Sequence, residues 1–185
     1  SLVRNLGGEV ITLSTSSENH INALEINSDI DMDENPVSIK SEFLISLFDQ
    51  LLKSTDSRLG GGVGAKDKSI IDRCAIKVYG DFLNGKSEYM PTLVDFRNEL
   101  LRQPEPEAAR IAAALELYVS GSLNVFNHRT NVELSNRLVC FDIKQLGKQL
   151  KKLGMLIVQD QVWNRVTVNR AEKKATRYYM DEFHL

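Results

Sequence analysis

Hydrophobic residues in the middle of the chain recur at the three- and four-residue spacing of amphipathic helices. Four segments share this spacing: 38–53, 68–83, 91–101 and 107–119. Pro, Gly and Ser separate these segments, as expected of helix boundaries. We therefore predict an all-helical block over residues 38–119.

Segments on either side of this block have the alternating or β-branched composition of strands. They are 9–14, 19–26, 123–129, 137–143 and 177–185. The third and fourth are separated by a turn-like stretch whose length suits a hairpin. The apolar spacing over residues 145–169 predicts the longest helix, with Trp163 among its inward-facing residues. Strands at both ends with helices between them indicate an α/β domain interrupted by a helical insertion.

Composition narrows the class of protein without identifying it. The chain has 185 residues, of which 42% are hydrophobic and 26% charged, which is typical of soluble globular domains. Net charge is -2 and the basic residues are spread along the chain, so composition gives no support for direct DNA binding. Cys74 and Cys140 lie among apolar residues without a CxxC pair, which predicts reduced, packed thiols. Since the chain starts at Ser1 and stops just after a strand, we expect a piece of a longer protein.

The acidic end of the last predicted strand is the strongest candidate for chemistry. Tyr178-Tyr179-Met180 precedes Asp181 and Glu182, and a strand that ends this way places two carboxylates where α/β sheets bind ligands. This is the Walker B pattern of P-loop ATPases, in which the Asp helps to hold Mg²⁺ and the Glu orients or deprotonates the attacking water. The alternative is an ordinary strand whose polar end meets solvent.

The glycine-rich segment 60–67 departs from a phosphate-binding loop. Such a loop needs G-x-x-x-x-G-K-[ST] between a strand and a helix. Here Ala65 replaces the second glycine, Asp67 replaces the hydroxyl residue, and the segment follows a helix. An anion-binding nest stays open as a reading, but an interhelical loop is the better interpretation.

Other polar residues give weaker signals. The three histidines show no i, i+4 pairing and no neighbouring cysteine, so a metal site is not expected at His20, His128 or His184. Trp163-Asn164-Arg165 and Asn169-Arg170 could present arginine and amide groups to phosphate or to a neighbouring subunit. A helix with a packed Trp and solvated arginines is the better interpretation.

Several segments taken together resemble one family of motors. They are Leu6-Gly-Gly-Glu-Val-Ile-Thr-Leu-Ser, His20-Ile-Asn-Ala-Leu-Glu-Ile, Phe141-Asp-Ile-Lys, Leu146-Gly-Lys-Gln-Leu-Lys-Lys-Leu-Gly, Val162-Trp-Asn-Arg, Asn169-Arg170 and Tyr179-Met-Asp-Glu-Phe-His-Leu. This set resembles the ATPases that energise conjugative type IV secretion, the VirB/TraC-like branch related to HerA and FtsK. The resemblance covers nearly the whole chain and is weakest in the helical block.

The resemblance implies a RecA-like P-loop NTPase fold with an all-helical insertion, of which this chain is a central fragment. Residues 1–37 then supply N-terminal strands, 38–119 the insertion, and 120–185 further strands, the long helix and the Walker B strand. It also implies ATP and Mg²⁺ as ligands, with Asp181 binding Mg²⁺ through water and Glu182 as the catalytic, water-activating residue. Because the Walker A lysine is absent from the chain, we do not expect hydrolysis by this chain alone.

The same resemblance implies a hexamer that works with other secretion-channel components. Its place is cytoplasmic, peripheral to the inner face of the cell membrane through the channel. Two alternatives stay open. One is a DNA-translocating coupling protein of the same motor class, which the acidic composition argues against, and the other is a non-catalytic module in which residues 38–119 dock a partner.

Overall fold

The computed structural model describes residues 2–27, 35–55 and 62–181. Within these residues the order of elements is α1 (Leu2–Asn5), β1 (Glu9–Thr12), α2 (Pro36–Thr55), α3 (Ala65–Leu83), α4 (Leu93–Leu101), α5 (Pro106–Val119), a 3₁₀ helix (Asn124–Phe126), β2 (Val139–Asp142) and α6 (Lys148–Ala171). The fold is therefore mixed, with a large helical part and a small parallel sheet. None of the described helices combines the length and apolarity needed to cross a membrane.

The four helices predicted between residues 38 and 119 are all present, as α2 to α5. Local chemistry sets their ends. The Thr92 N–H donates to the Asp95 carboxylate at 2.8 Å just before α4, and Pro106 occupies the start of α5. Gly85 follows α3 at φ +71°, a left-handed conformation that glycine adopts at little cost. These signals are local, which is why the periodic pattern located the helices correctly.

One hydrophobic core joins the helical block to the strands. Phe48 of α2 stacks on Phe96 of α4 with ring centroids 5.5 Å apart. Cys74 is buried in α3, where burial raises the pKa of its thiol to about 12. Cys140 is half-buried in β2, and both cysteines are free. The prediction of reduced, packed thiols is thus confirmed for Cys74, whereas Cys140 is only partly enclosed.

Residues 19–27 enter the core without forming the second strand that the sequence predicts. Leu24 is fully buried, and its carbonyl accepts a hydrogen bond from the Tyr79 hydroxyl at 2.6 Å. The Asn22 N–H donates to the Thr130 hydroxyl at 3.0 Å. Side chains of other elements satisfy this backbone in place of a neighbouring strand. The strand prediction was wrong because an apolar run of this length does not distinguish a strand from a buried irregular segment.

The two strands pair in parallel, with Thr12 opposite Asp142. The hairpin predicted from 123–129 and 137–143 is therefore wrong. The first of these segments contains the 3₁₀ helix instead, in which Phe126 is only 1% exposed, so a turn buries the apolar run without a strand. The partner of β2 comes from the other end of the chain, where no local turn signal could indicate it.

The longest helix, α6, packs one side against the core. Its buried residues are Leu150, Leu153, Gly154, Ile157, Val158, Asp160 and Gln161. A Cβ on Gly154 would lie 2.5 Å from Leu146 Cδ1, so glycine allows the close approach here. Trp163 is 69% exposed, and the prediction that it faces inward was wrong. Gln161 is the last buried residue of α6, and the residues that follow it in the helix are half-buried or exposed.

A buried ion pair joins α2 to α6. Lys40 donates to the carboxylate of Asp160, and the two side chains are 2% and 9% exposed. Burial lowers the pKa of Lys40 and raises the pKa of Asp160, in each case against the attraction of the partner charge. A cavity of about 20 Å³, room for roughly one water, adjoins the pair.

Candidate functional site

The segment predicted to be a Walker B strand is described as far as Asp181. Residues 174–180 form no strand, and Tyr179 is 82% exposed. Asp181 is exposed in a bend, and Glu182 lies outside the described residues. The strand prediction is therefore wrong for residues 177–181. A strand requires a hydrogen-bonded neighbour, and in the described part of the chain β1 and β2 pair only with each other.

The carboxyl ends of β1 and β2 form a polar edge that the sequence did not single out. Thr12 and Asp142 end their strands in register, and the Leu13 N–H donates to the Asp142 carbonyl at 2.9 Å. The Asp142 carboxylate accepts the Lys144 N–H at 3.1 Å. Parallel α/β sheets bind their ligands at this end of the strands. Asp142, near the end of predicted strand 137–143, was the signal available in the sequence. The hairpin prediction paired this strand with residues 123–129, so the parallel pairing with β1 was not foreseen.

A hydrogen-bonded turn follows β1 at this edge. The Ser17 hydroxyl and the Asn19 side-chain amide both donate to the Thr12 carbonyl, at 2.7 and 3.1 Å. The Ser17 hydroxyl also accepts the Asn19 N–H at 3.0 Å, and the hydroxyls of Ser14 and Ser16 lie 3.3 Å apart. The edge therefore presents hydroxyl and amide groups beside the Asp142 strand end.

The structure brings together two histidines that no sequence motif connected. The rings of His20 and His128 have centroids 4.2 Å apart and planes tilted by 36°. His20 Nδ1 is buried without a hydrogen-bond partner. Burial lowers the pKa of His20, and the neighbouring His128 lowers it further. Within residues 2–27, 35–55 and 62–181, no group of three or more His, Cys, Asp or Glu side chains could hold a metal ion.

In the glycine-rich segment, which is described from Gly62 onward, backbone N–H groups donate to carboxylates of the chain itself. The Val63 N–H donates to Asp49 at 3.1 Å, and the Gly64 N–H donates to Asp67 at 2.8 Å. Asp67 also accepts from the Arg110 guanidinium at 2.7 Å and is 4% exposed. The chain's own carboxylates thus occupy the place that an anion would take at the start of α3. This arrangement favours the interhelical-loop interpretation over an anion nest.

Several of the polar groups that the sequence singled out near the end of α6 form hydrogen bonds within the chain. Arg165 donates to the Ser135 carbonyl at 3.3 Å, and the Asn169 amide donates to the Thr176 hydroxyl at 2.8 Å. Arg170 and Trp163 are exposed. The expected packed Trp is absent from this helix, whereas Arg170 is solvated as predicted.

Comparisons with known proteins address the fold. No family model matches the sequence, and no curated protein matches it. A solved structure of VirB4 from Thermoanaerobacter pseudethanolicus matches this chain with a TM-score of 0.71 and 19% sequence identity. The match covers 91% of this chain and 66% of that chain. The chain therefore has the fold of a VirB4 segment, in agreement with the type IV secretion family that its sequence resembles.

Proposed function

We propose that this chain is part of an ATPase that powers conjugative transfer through a type IV secretion channel. The observation that carries the proposal is the fold, because 91% of the chain matches VirB4 at a TM-score of 0.71. The sequence resemblance to the same ATPases adds support through motifs spread from Leu6 to the acidic pair Asp181-Glu182.

In this proposal the parent protein contains a RecA-like motor domain. Residues 1–37 and 120–185 contribute to that domain, and residues 38–119 are its helical insertion. The parallel pairing of β1 with β2 supports this assignment, because nucleotide-binding α/β domains are built on parallel strands. Asp181 would hold Mg²⁺ through water, and Glu182 would activate the water that attacks the terminal phosphate.

Among the described residues, the proposal has one carboxylate for Mg²⁺, that of Asp181. Mg²⁺ keeps several waters and takes one or two carboxylates, of which Asp181 would supply one. When bound, Mg²⁺ neutralises charge on the phosphates. A triphosphate needs free backbone N–H groups and a lysine, but Val63 and Gly64 donate their N–H groups to carboxylates. The proposal therefore places the phosphate cradle in a part of the parent protein other than the described residues of the glycine-rich segment.

The proposed parent assembles as a hexamer with other channel components. It sits in the cytoplasm against the inner face of the membrane. ATP and Mg²⁺ are its ligands.

The test is ATP turnover by the full-length parent, comparing wild type with Glu182→Gln. Removing the charge of Glu182 leaves a side chain of similar shape that cannot accept the proton from water. We expect turnover to fall by about 10²-fold or more, while binding of a fluorescent ATP analogue is retained. This chain, assayed alongside, should show no turnover.

Glu172→Gln is the matched control. Glu172 is an exposed acid that pairs with Lys174 at 2.7 Å, close in sequence to the acidic pair. Its substitution should leave turnover unchanged. Undiminished turnover in Glu182→Gln would show that Glu182 is the polar end of an ordinary segment and would remove the catalytic assignment.

A second candidate is an interaction module built on the helical block. Ile76 and Leu83, seven residues apart on one side of α3, are 58% and 51% exposed, and Leu101 at the end of α4 is 52% exposed. Contiguous patches of exposed apolar side chains mark docking surfaces, and Ile76 and Leu83 share one side of α3. This candidate predicts a parent protein without ATP turnover, so the same assay separates the two.

A further inference from the structure

We infer that the outer face of α6 binds single-stranded nucleic acid. The inference goes beyond the proposed ATPase and does not depend on it. It rests on charge, on ion pairing and on one exposed aromatic residue.

The net charge of -2 conceals a strong asymmetry. Residues 143–177 contain nine Lys or Arg residues and two acids, Asp160 and Glu172. This stretch carries +7, and the remainder of the chain carries -9. Composition averaged over the whole sequence therefore hides a basic region that includes all of α6.

The cations of this region differ from those of the helical block in their partners. Residues 35–55 and 62–119 contain ten Lys or Arg residues, and nine of them form an ion pair with an acid. With partners taken from residues 2–27, 35–55 and 62–181, Lys174 is the one cation of residues 143–177 that does so. Among the described residues, the cations of the helical block are thus mostly paired with acids, whereas most cations of the basic region form no such ion pair.

Helical spacing places several of these residues on one line along α6. Lys148, Lys152, Trp163 and Arg170 are separated by four, eleven and seven residues, close to whole numbers of turns, and all four are exposed. We call these four residues the basic stripe. The opposite side of α6 is buried in the core. At 1.5 Å per residue, the stripe extends for about 33 Å.

The chemistry of the basic stripe fits a single strand of nucleic acid. Lysine and arginine along a line can neutralise successive phosphates. Trp163 is 69% exposed in the middle of that line, where its ring can stack on an unpaired base. Beyond the helix, Arg177 is followed by Tyr178 and Tyr179, which are 48% and 82% exposed and extend the same combination of charge and aromatic surface.

A membrane surface fits the basic stripe less well. Helices that lie in a lipid interface bury a broad apolar face in it. The broad apolar face of α6 is already packed in the protein core, and Trp163 is the large apolar side chain that its outer face exposes. Anionic vesicles therefore serve as the competing probe in the test.

The experiment uses Trp163 as its reporter, since it is the chain's single tryptophan. The protein is titrated with oligodeoxythymidine or oligouridine at low salt, without nucleotide. We expect quenching of Trp163 fluorescence that matches the anisotropy rise of a labelled oligonucleotide. The double variant Lys148→Glu/Lys152→Glu should weaken binding at least tenfold and reduce the slope of log affinity against log salt by about 1.4, the value for two phosphate contacts. Trp163→Leu should weaken binding about tenfold with little change in that slope.

The control is Lys77→Glu/Lys86→Glu, which makes the same charge change at two exposed lysines near Asp81. This variant should bind the oligonucleotide with nearly wild-type affinity. Far-ultraviolet circular dichroism checks that each variant is folded. Equal losses in the two double variants would overturn the inference, because they would indicate attraction by overall charge. Absence of binding, or a blue shift of Trp163 with phosphatidylserine vesicles but no response to oligonucleotide, would also overturn it.

Discussion

At the scale of single residues, Lys40 and Asp160 form a buried ion pair between α2 and α6. Lys40 also donates to the Ala23 carbonyl at 3.4 Å and lies 4.6 Å from the centre of the Phe43 ring. The ammonium group therefore has three kinds of partner inside the core. Burial nevertheless opposes the charged form of both Lys40 and Asp160. The pair is stable as a unit and costly to separate.

We predict that Lys40→Met destabilises the protein by about 3–5 kcal/mol, because Asp160 would keep a buried and unpaired carboxylate. Lys40→Met combined with Asp160→Asn should recover most of this loss. Urea unfolding of the two single variants and the double variant measures the coupling directly. As a control, Lys77→Met removes an exposed ion pair to Asp81 and should cost within about 0.5 kcal/mol. A loss in Lys40→Met no larger than in this control would contradict the prediction.

At the scale of elements, the start of α3 shows how a glycine-rich stretch becomes a helix boundary. Gly64 precedes the helix in an extended conformation, and Asp67 in the first turn accepts its N–H. Arg110 of α5 holds the other side of the same carboxylate. One aspartate thus caps α3 and fixes it to α5.

We predict that Asp67→Ala costs about 1–2 kcal/mol, from loss of the helix cap and of the bond to Arg110. Asp95→Ala is the matched comparison, since Asp95 accepts the Thr92 N–H at the start of α4, is exposed, and forms no ion pair with an arginine of the described residues. Its effect should be smaller. Chemical unfolding of both variants provides the measurement, and an equal or larger loss in Asp95→Ala would refute the role given to Arg110.

At the scale of the whole molecule, contacts between distant loops connect the start of the chain with the region before β2. His20 donates its N–H to Asn131 at 2.7 Å, and Asn131 donates its side-chain amide to the Glu18 carbonyl at 2.7 Å. The His20–His128 ring contact lies within this set of bonds. These contacts hold the loops in place beyond the strands that pair at the sheet.

We predict that stability falls as pH drops below about 6.5, the ordinary pKa of His20. Because the folded pKa is lower, the unfolded state binds the proton first. The contribution of neutral His20 is therefore present above pH 6.5 and is lost toward the lower folded pKa. Burial and His128 favour the neutral ring, while Glu18 and the Val125 carbonyl oppose them. The advantage of wild type over His20→Gln in unfolding free energy should shrink from pH 8 to pH 5, and a constant difference would disprove the assignment.

The sequence by itself determined the helices α2 to α6 and the first strand. Apolar spacing, a proline at the start of α5 and a glycine after α3 act over a few residues, so α2 to α5 could be located from the pattern alone. The motif-based resemblance also pointed to the fold that the VirB4 comparison supports. The roles of Asp181 and Glu182 stay predictions from sequence.

Only the tertiary structure decided which residues from distant parts of the chain are in contact. The parallel pairing of β1 with β2, the Lys40–Asp160 pair, the His20–His128 contact and the polar edge at Asp142 all join residues far apart in the chain. Periodicity reports which side of an element is apolar, but it does not report which distant element covers that side. For the same reason the outward position of Trp163 could not be read from α6 alone. Whether an apolar side chain is buried depends on where the neighbouring elements end, and that is settled by packing.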